Sequence, residues 1–240
     1  MLLEICTSSH QSAINAQNGG AHRIELCSEL AVGGITPSYG LLKNVLEEVD
    51  IPVHVLIRPR SGNFNYSDEE FNCMKADIII CRKLGCKGIV SGVLHANNTI
   101  DNKRTQELIE LSKPLEFTFH RAFDQVENSH KALQALIDIG VTRVLTSGGN
   151  NTAEKGIEYL KSLNEIAKDK LIILPAGGIN IENARLFKTA GFKEIHCSAS
   201  SIINRIEVVK IPMNNSIFFD EHIIIQSDYN KIKSILESIN

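Results

Sequence analysis

No stretch of this sequence approaches the roughly 18 uninterrupted apolar residues of a membrane-spanning helix; the longest local candidate, Ile78 to Ile80, is broken at Arg82. The amino terminus, Met1-Leu2-Leu3-Glu4-Ile5-Cys6, has neither a basic region nor a long apolar run, so no signal peptide is expected. Positive charge is not in surplus: 25 Lys plus Arg stand against 28 Asp plus Glu, a formal net charge of −3. That balance gives no footprint for nucleic acid and no polybasic patch for a membrane surface. The six cysteines (Cys6, Cys27, Cys73, Cys81, Cys86 and Cys197) include no CxxC pair, which excludes a zinc ribbon. Without an export signal, a cytosolic setting is expected, where thiols stay reduced. No linker, low-complexity segment or second domain is visible, and no organic cofactor is expected.

What the chain does have is core-forming capacity. Of its 240 residues, 43% are hydrophobic and 22% charged, which is ordinary for a globular protein. Strand-like runs alternate with helical periodicity from end to end: Leu2 to Cys6, Arg23 to Cys27, Val53 to Ile57, Gly88 to Ser91, Leu115 to Phe119, Arg143 to Thr146, Leu171 to Leu174 and Glu194 to Cys197. Eight such units predict a (β/α)8 barrel, although an open sheet also alternates. A second periodicity favours closure. Gly20-Ala21, Gly85-Cys86, Gly140-Val141 and Gly191-Phe192 each place a helix-stopping glycine and one apolar residue before strands two, four, six and eight. A unit of two βα elements thus recurs four times. After strand eight, alternating Ile206, Val208 and Ile211, an Asn214-Asn215 turn, and Ile217-Phe218-Phe219 with Ile223 to Ile225 predict a β-hairpin at about 206–226, inserted before the last helix. That helix is expected from about Asp228, with Ile232, Ile235, Leu236 and Ile239 on one face.

Strand alternation carries the most functional information, because neighbours on a strand face opposite ways. Leu3 and Ile5 oppose Glu4 and Cys6; Ile24 and Leu26 oppose Arg23, Glu25 and Cys27. Val53, Val55 and Ile57 oppose His54 and Arg58; Phe117 and Phe119 oppose Glu116, Thr118 and His120; Ile195 and Cys197 oppose Glu194, His196 and Ser198. Helices must cover an apolar outer face, so the polar sets are expected inside, and Cys197 under a helix. One reading makes this interior only a salt-bridge network of Glu4, Glu25, Arg23 and Arg58. The other makes it a ligand pocket, since burying so many charges is costly unless they pair or serve a site.

The loops after the strands favour a pocket. Arg58-Pro59-Arg60-Ser61-Gly62 sets two guanidinium groups beside a flexible turn, suited to an anion. In His120-Arg121-Ala122-Phe123-Asp124, His120 can act as acid or base, with Asp124 orienting it; Glu4 and Glu25 are further acid/base candidates. Ser147-Gly148-Gly149 and Gly177-Gly178 let backbone N–H groups approach a phosphate or carboxylate, and Ser198-Ala199-Ser200 can complete the cradle. His54, Arg58, Arg60, Ser147, Gly148, Gly177, Gly178, His196 and Ser198 are the candidate ligand-binding residues. His22 and His222 are expected at the surface, and Phe64 and Tyr66 as caps on the third loop. Cys6 and Cys27 end adjacent strands on the inward face, where two thiolates suit Cu(I); a buried cysteine is also a small hydrophobe.

Taken in order, Glu4-Ile5-Cys6, Gly20-Ala21-His22-Arg23-Ile24-Glu25-Leu26-Cys27, Gly33-Gly34-Ile35-Thr36-Pro37-Ser38, His54-Val55-Leu56-Ile57-Arg58-Pro59-Arg60, Phe119-His120-Arg121-Ala122-Phe123-Asp124, Thr146-Ser147-Gly148-Gly149 and Pro175-Ala176-Gly177-Gly178-Ile179 resemble the CutC family. The match runs from residue 4 to about residue 200. The resemblance implies a cytosolic (β/α)8 barrel, usually oligomeric (a homodimer favoured), with a copper-homeostasis role. It also implies Cu(I) binding through Cys6 and Cys27. The alternative from the inward face is an enzyme acting on a small anionic metabolite, phosphorylated or not, at the barrel mouth.

Overall fold

In the computed structural model, which describes residues 1–205, 211 and 220–240, the alternating pattern becomes eight parallel strands. They are β1 (Leu2–Thr7), β2 (Arg23–Leu26), β3 (Val53–Leu56), β4 (Gly88–Ser91), β5 (Glu116–Phe119), β6 (Arg143–Thr146), β7 (Ile172–Pro175) and β8 (Glu194–Cys197). Hydrogen bonding runs β7-β6-β5-β4-β3-β2-β1-β8, and a parallel bridge between Ala176 and His196 closes the ring. The eight helices are α1 (His10–Asn18), α2 (Tyr39–Glu48), α3 (Asp68–Leu84), α4 (Asn102–Ser112), α5 (Ser129–Asp138), α6 (Ile157–Ala167), α7 (Ala184–Thr189) and α8 (Tyr229–Ile239). This is the (β/α)8 barrel expected, with strand boundaries within a residue or two of those read from the sequence.

Local chemistry accounts for the helix ends. Ser9, Ser38, Ser67, Asp101, Asn128 and Asp228 accept backbone N–H bonds as side-chain caps, satisfying donors the first turn leaves open. The uncapped helices, α6 and α7, follow the two glycine-pair loops, which are held by other means described below. Gly20, Gly85, Gly140 and Gly191 all have φ between +84° and +90°, the left-handed stop that a β-carbon disfavours. The apolar residues after them, Ala21, Cys86, Val141 and Phe192, are buried. The same helix stop thus recurs before β2, β4, β6 and β8.

The main core fills the shell between strands and helices: Leu3, Ile5, Ile24, Leu26, Val53, Val55, Ile57, Phe117, Phe119, Ile195 and Cys197 all join it. Inside the barrel the described residues form two small apolar clusters, Cys6, Cys27, Leu56 and Val90 in one, and Leu145, Leu174 and Ala176 in the other. Helix α8 packs between α7 and α1 and completes the helix ring, with Ile232, Ile235 and Ile239 buried and Leu236 packed beside them. The insertion begins earlier than its pattern indicates: β9 (Ser200–Arg205) leaves directly after β8 and pairs antiparallel with β10 (Ile223–Ser227). The expected strand residues Ile206 and Val208, the Asn214-Asn215 turn and Ile217-Phe218-Phe219 lie outside the described residues.

Candidate functional site

Register decides how the inward polar residues divide. Glu4 lies level with Arg23 on one side and His196 on the other, whereas Cys6 lies level with Glu25. The interior therefore has two storeys, an ionic floor and a cavity above it.

The floor is a chain of charge. Arg23 donates Nε to Glu4 and Nη2 to Glu194 Oε2 at 2.5 Å. Arg143 donates Nε to the same Glu194 oxygen at 3.1 Å and Nη1 to Glu116 Oε2 at 2.6 Å. His54 completes the circuit, with Nε2 3.5 Å from Glu116 and Nδ1 4.0 Å from Glu4. Burial alone would raise the Glu4 pKa, but Arg23 and His196 outweigh it and hold the carboxyl well below its ordinary value. Burial pushes His54 down to about 4, against the pull of Glu4. A salt-bridge network thus exists, but with a different membership from Glu4, Arg23, Glu25 and Arg58. Glu4 and Arg23 belong to it, Glu25 and Arg58 do not, and Arg143, Glu194, Glu116 and His54 replace them. His54 accordingly sits beneath the cavity rather than in its wall.

Above the floor lies a cavity of about 700 Å³ whose wall includes Cys6, Glu25, Arg58, His120, Arg121, Asp124, Gly177, Gly178, His196 and Ser198. At its deep end one ligand atom each from Cys6, Glu25 and His196 lies within 4.8 Å of the others. Cys6 Sγ stands 3.6 Å from Glu25 Oε1 and 3.7 Å from Cys27 Sγ. Cys27 is fully buried behind Cys6 and is within 3.5 Å of the Thr7 carbonyl. The Cys27 hydrogen bond and burial raise the Cys6 thiol well above its usual value. Burial raises Glu25, and its Oε2 has no hydrogen-bond partner. His196 is raised: burial opposes protonation, but the Glu4 hydrogen bond and the Glu25 charge prevail. With Nδ1 2.7 Å from ionised Glu4 Oε1, an acceptor-only group, the His196 Nδ1–H is the donor. Nε2 is the ring atom left over for a ligand.

This donor set fits a soft cation. Two metal–thiolate bonds of about 2.3 Å each reach at most about 4.6 Å between sulfurs, and the two Sγ atoms lie inside that span. The orphaned Glu25 Oε2 and the free nitrogen of His196 add harder donors on one side only.

The upper wall is organised differently from the sequence expectation. His120 accepts the Ala122 N–H on Nδ1 at 3.3 Å, and its ring packs 4.9 Å from that of Phe64. Burial, with help from Arg58, drives it down to about 3, so it is a neutral imidazole. Asp124 does not orient it. Its carboxylate instead accepts from Thr146 Oγ1 at 2.5 Å, from Ser147 Oγ at 3.0 Å and from the Gly149 N–H at 3.2 Å, tying down the β6 loop. Ser147 and Gly148 serve that loop rather than the cavity wall: the Ser147 N–H also donates to Asp124, and the Gly148 N–H donates to Thr146 Oγ1. The β7 loop is held by Asn183, whose Nδ2 donates to the Gly178 carbonyl at 3.0 Å. Arg58 lines the cavity, but Nη1 donates to the carbonyls of Val32 and Gly34 and Nη2 to that of Gly62, so it is also the clamp of two rim loops. Arg60 is directed elsewhere, onto Glu70 at 2.5 Å and the carbonyls of Asn63 and Asn65, and does not line the cavity. Tyr66 packs under Arg60, whereas Phe64 does line the cavity. His22 and His222 are exposed.

Arg121 is the site residue that strand alternation misses. It lies past the end of β5, where facing parity no longer applies. Its signal was the Arg–Asp pair three residues apart: Nε donates to Asp124 at 2.8 Å and Nη2 to Ser147 Oγ at 2.9 Å. This props a half-exposed cation over the mouth.

Comparison with known proteins identifies the family. The model of the CutC family matches residues 1–201. A copper homeostasis protein cutC homolog of Homo sapiens is 42% identical over 238 residues, covering 98% of this chain and 87% of its own length. A family protein CutC of Edwardsiella ictaluri is 45% identical over 203 residues, covering 85% of this chain and 80% of its own. The crystal structure of a CutC protein from Streptococcus agalactiae superimposes with a TM-score of 0.78 at 35% identity, over 82% of this chain and 98% of that one. With its barrel, its motifs and these relatives in agreement, the chain belongs to the CutC family.

Proposed function

We propose that this protein takes part in copper homeostasis in a reducing, cytosolic compartment by binding Cu(I) as cargo between Cys6 and Cys27. The observation that carries the reading is the pair of buried sulfurs 3.7 Å apart, Cys6 in the wall of an open cavity and Cys27 directly behind it. Thiolates select Cu(I) over harder ions, and His196 and Glu25 stand ready on the cavity side as further donors. Glu4 holds the His196 ring through Nδ1, the outer-shell support that commonly fixes a ligating imidazole. The apo thiol holds its proton tightly, so copper must displace it, and binding releases protons. All six cysteines are free. No helix of the described residues is long and apolar enough to cross a membrane.

An anaerobic Cu(I) titration against a chromophoric competitor tests the reading. The wild type is expected to withdraw one copper per chain, and the Cys6→Ser, Cys27→Ser double variant to withdraw none. Equal copper uptake by the double variant sinks the proposal.

A further inference from the structure

Once copper is assigned to the thiols, the cavity still holds hydrogen-bond donors without acceptors, beside the carboxylate of Asp124 that already pairs with Arg121. Arg58 is only 6% exposed, yet among the described residues no carboxylate lies within ion-pair distance of it; its terminal nitrogens meet neutral carbonyls. His120 is 5% exposed. Because Nδ1 accepts from Ala122, its proton sits on Nε2, a buried atom without a partner. At the rim, Arg121 Nη1 lies 3.5 Å from where a β-carbon on Gly177 would stand. The N–H groups of Gly177, Gly178 and Ile179, all in the cavity wall, meet no acceptor among the described residues. Ser198 Oγ shares a single bond with Ser200 at 3.1 Å.

Buried donors and an uncompensated buried cation are destabilising unless an acceptor meets them. About 700 Å³ is the size of a small-molecule site, far more than one ion needs. We infer that the cavity also binds a small phosphorylated carboxylic acid. Its phosphoryl group rests on Arg121, the amides of Gly177 and Gly178, and Ser198, and its carboxylate reaches His120 Nε2 beside Arg58. The rim supplies enough donors for three terminal oxygens, which a carboxylate alone leaves partly unused. This ligand is separate from the copper cargo and goes beyond it.

Isothermal titration of the copper-free full-length protein, under reducing conditions, with inorganic phosphate and with phosphoglycolate tests the inference. Both are expected to bind, phosphoglycolate about tenfold tighter or more. Arg121→Gln weakens both by about tenfold. His120→Gln removes the advantage of phosphoglycolate and leaves phosphate affinity within about twofold. The Cys6→Ser, Cys27→Ser protein binds both probes as the wild type does, so failure of the copper reading and failure of this one are told apart. No binding of either probe at millimolar concentration, or equal affinity in Arg121→Gln, overturns the site. Phosphoglycolate binding no better than phosphate overturns the two-ended ligand. If Arg121→Gln does not fold, Ser198→Ala takes its place, with a loss of about threefold expected and unchanged affinity counting against the inference.

Discussion

His120 and His54 are buried imidazoles in the barrel interior, and burial lowers both, to about 3 and about 4 against an ordinary 6.5. The sign of the consequence is fixed. Below about 6.5 the unfolded chain takes up a proton on each ring while the native protein does not, so stability present above that pH is lost as pH falls toward the folded values. His196, shifted upward, has the opposite linkage: its contribution is complete below 6.5 and fades only as pH rises through the folded value. It therefore does not offset the acid-side loss. Urea titrations are expected to show stability declining from about pH 6.5 to 4.5, by on the order of 1 kcal/mol per pH unit for each ring. His120→Gln should make that decline shallower; an identical slope in the variant would show that His120 is not a buried neutral imidazole. The facing of such residues was legible from alternation alone, since Glu4, Glu25, His54, His120 and His196 are all inside and buried. What they do there was not, because parity says which way a side chain points and nothing about what meets it.

At the scale of the element, the missing information was height along the barrel. Adjacent strands are staggered, so Glu25 and His54, paired across β2 and β3, belong to different storeys. No single-strand pattern reports that stagger, which is why Glu25 and Arg58 read as partners of Glu4 and Arg23. Loops were less legible still: Arg60 and Asp124 are placed by hydrogen bonds to Glu70 and to the β6 loop, contacts formed after the chain has turned away from its strand. By contrast, the β4 glycine has a clear physical reason. Gly88 lies level with His54, and a β-carbon there would stand 2.6 Å from three atoms of the imidazole. The absence of a side chain on β4 is thus what lets β3 send a ring across the floor. Gly88→Ala is expected to destabilise by about 1–3 kcal/mol through overpacking, read as a lower urea midpoint with an unchanged slope. A wild-type midpoint would mean that the ring moves aside freely.

Across the whole molecule, the ionic floor links β1, β2, β3, β5, β6 and β8 through Glu4, Arg23, His54, Glu116, Arg143, Glu194 and His196. It occupies the layer that branched apolar side chains fill in most such barrels. A network of this kind is weak grounds for extra stability, because desolvating the charges consumes most of the attraction between them. It does make the barrel intolerant of partial loss. Arg23 is 3% exposed and lies between Glu4 and Glu194, both buried. Arg23→Met keeps the volume and leaves two carboxylates facing each other without the cation they share. Its expected cost is about 3–5 kcal/mol, measured by chemical denaturation at neutral pH. Protonating the stranded carboxylates relieves part of this, so the deficit relative to wild type should shrink in mild acid. The floor also supports the proposed Cu(I) site, since Glu4 fixes both Arg23 and His196, so the same variant should weaken Cu(I) affinity by about tenfold or more while Cys6 and Cys27 remain in place. A destabilised Arg23→Met protein whose copper affinity equals that of the wild type would show that the floor carries the barrel alone and has no hold on the proposed copper site above it.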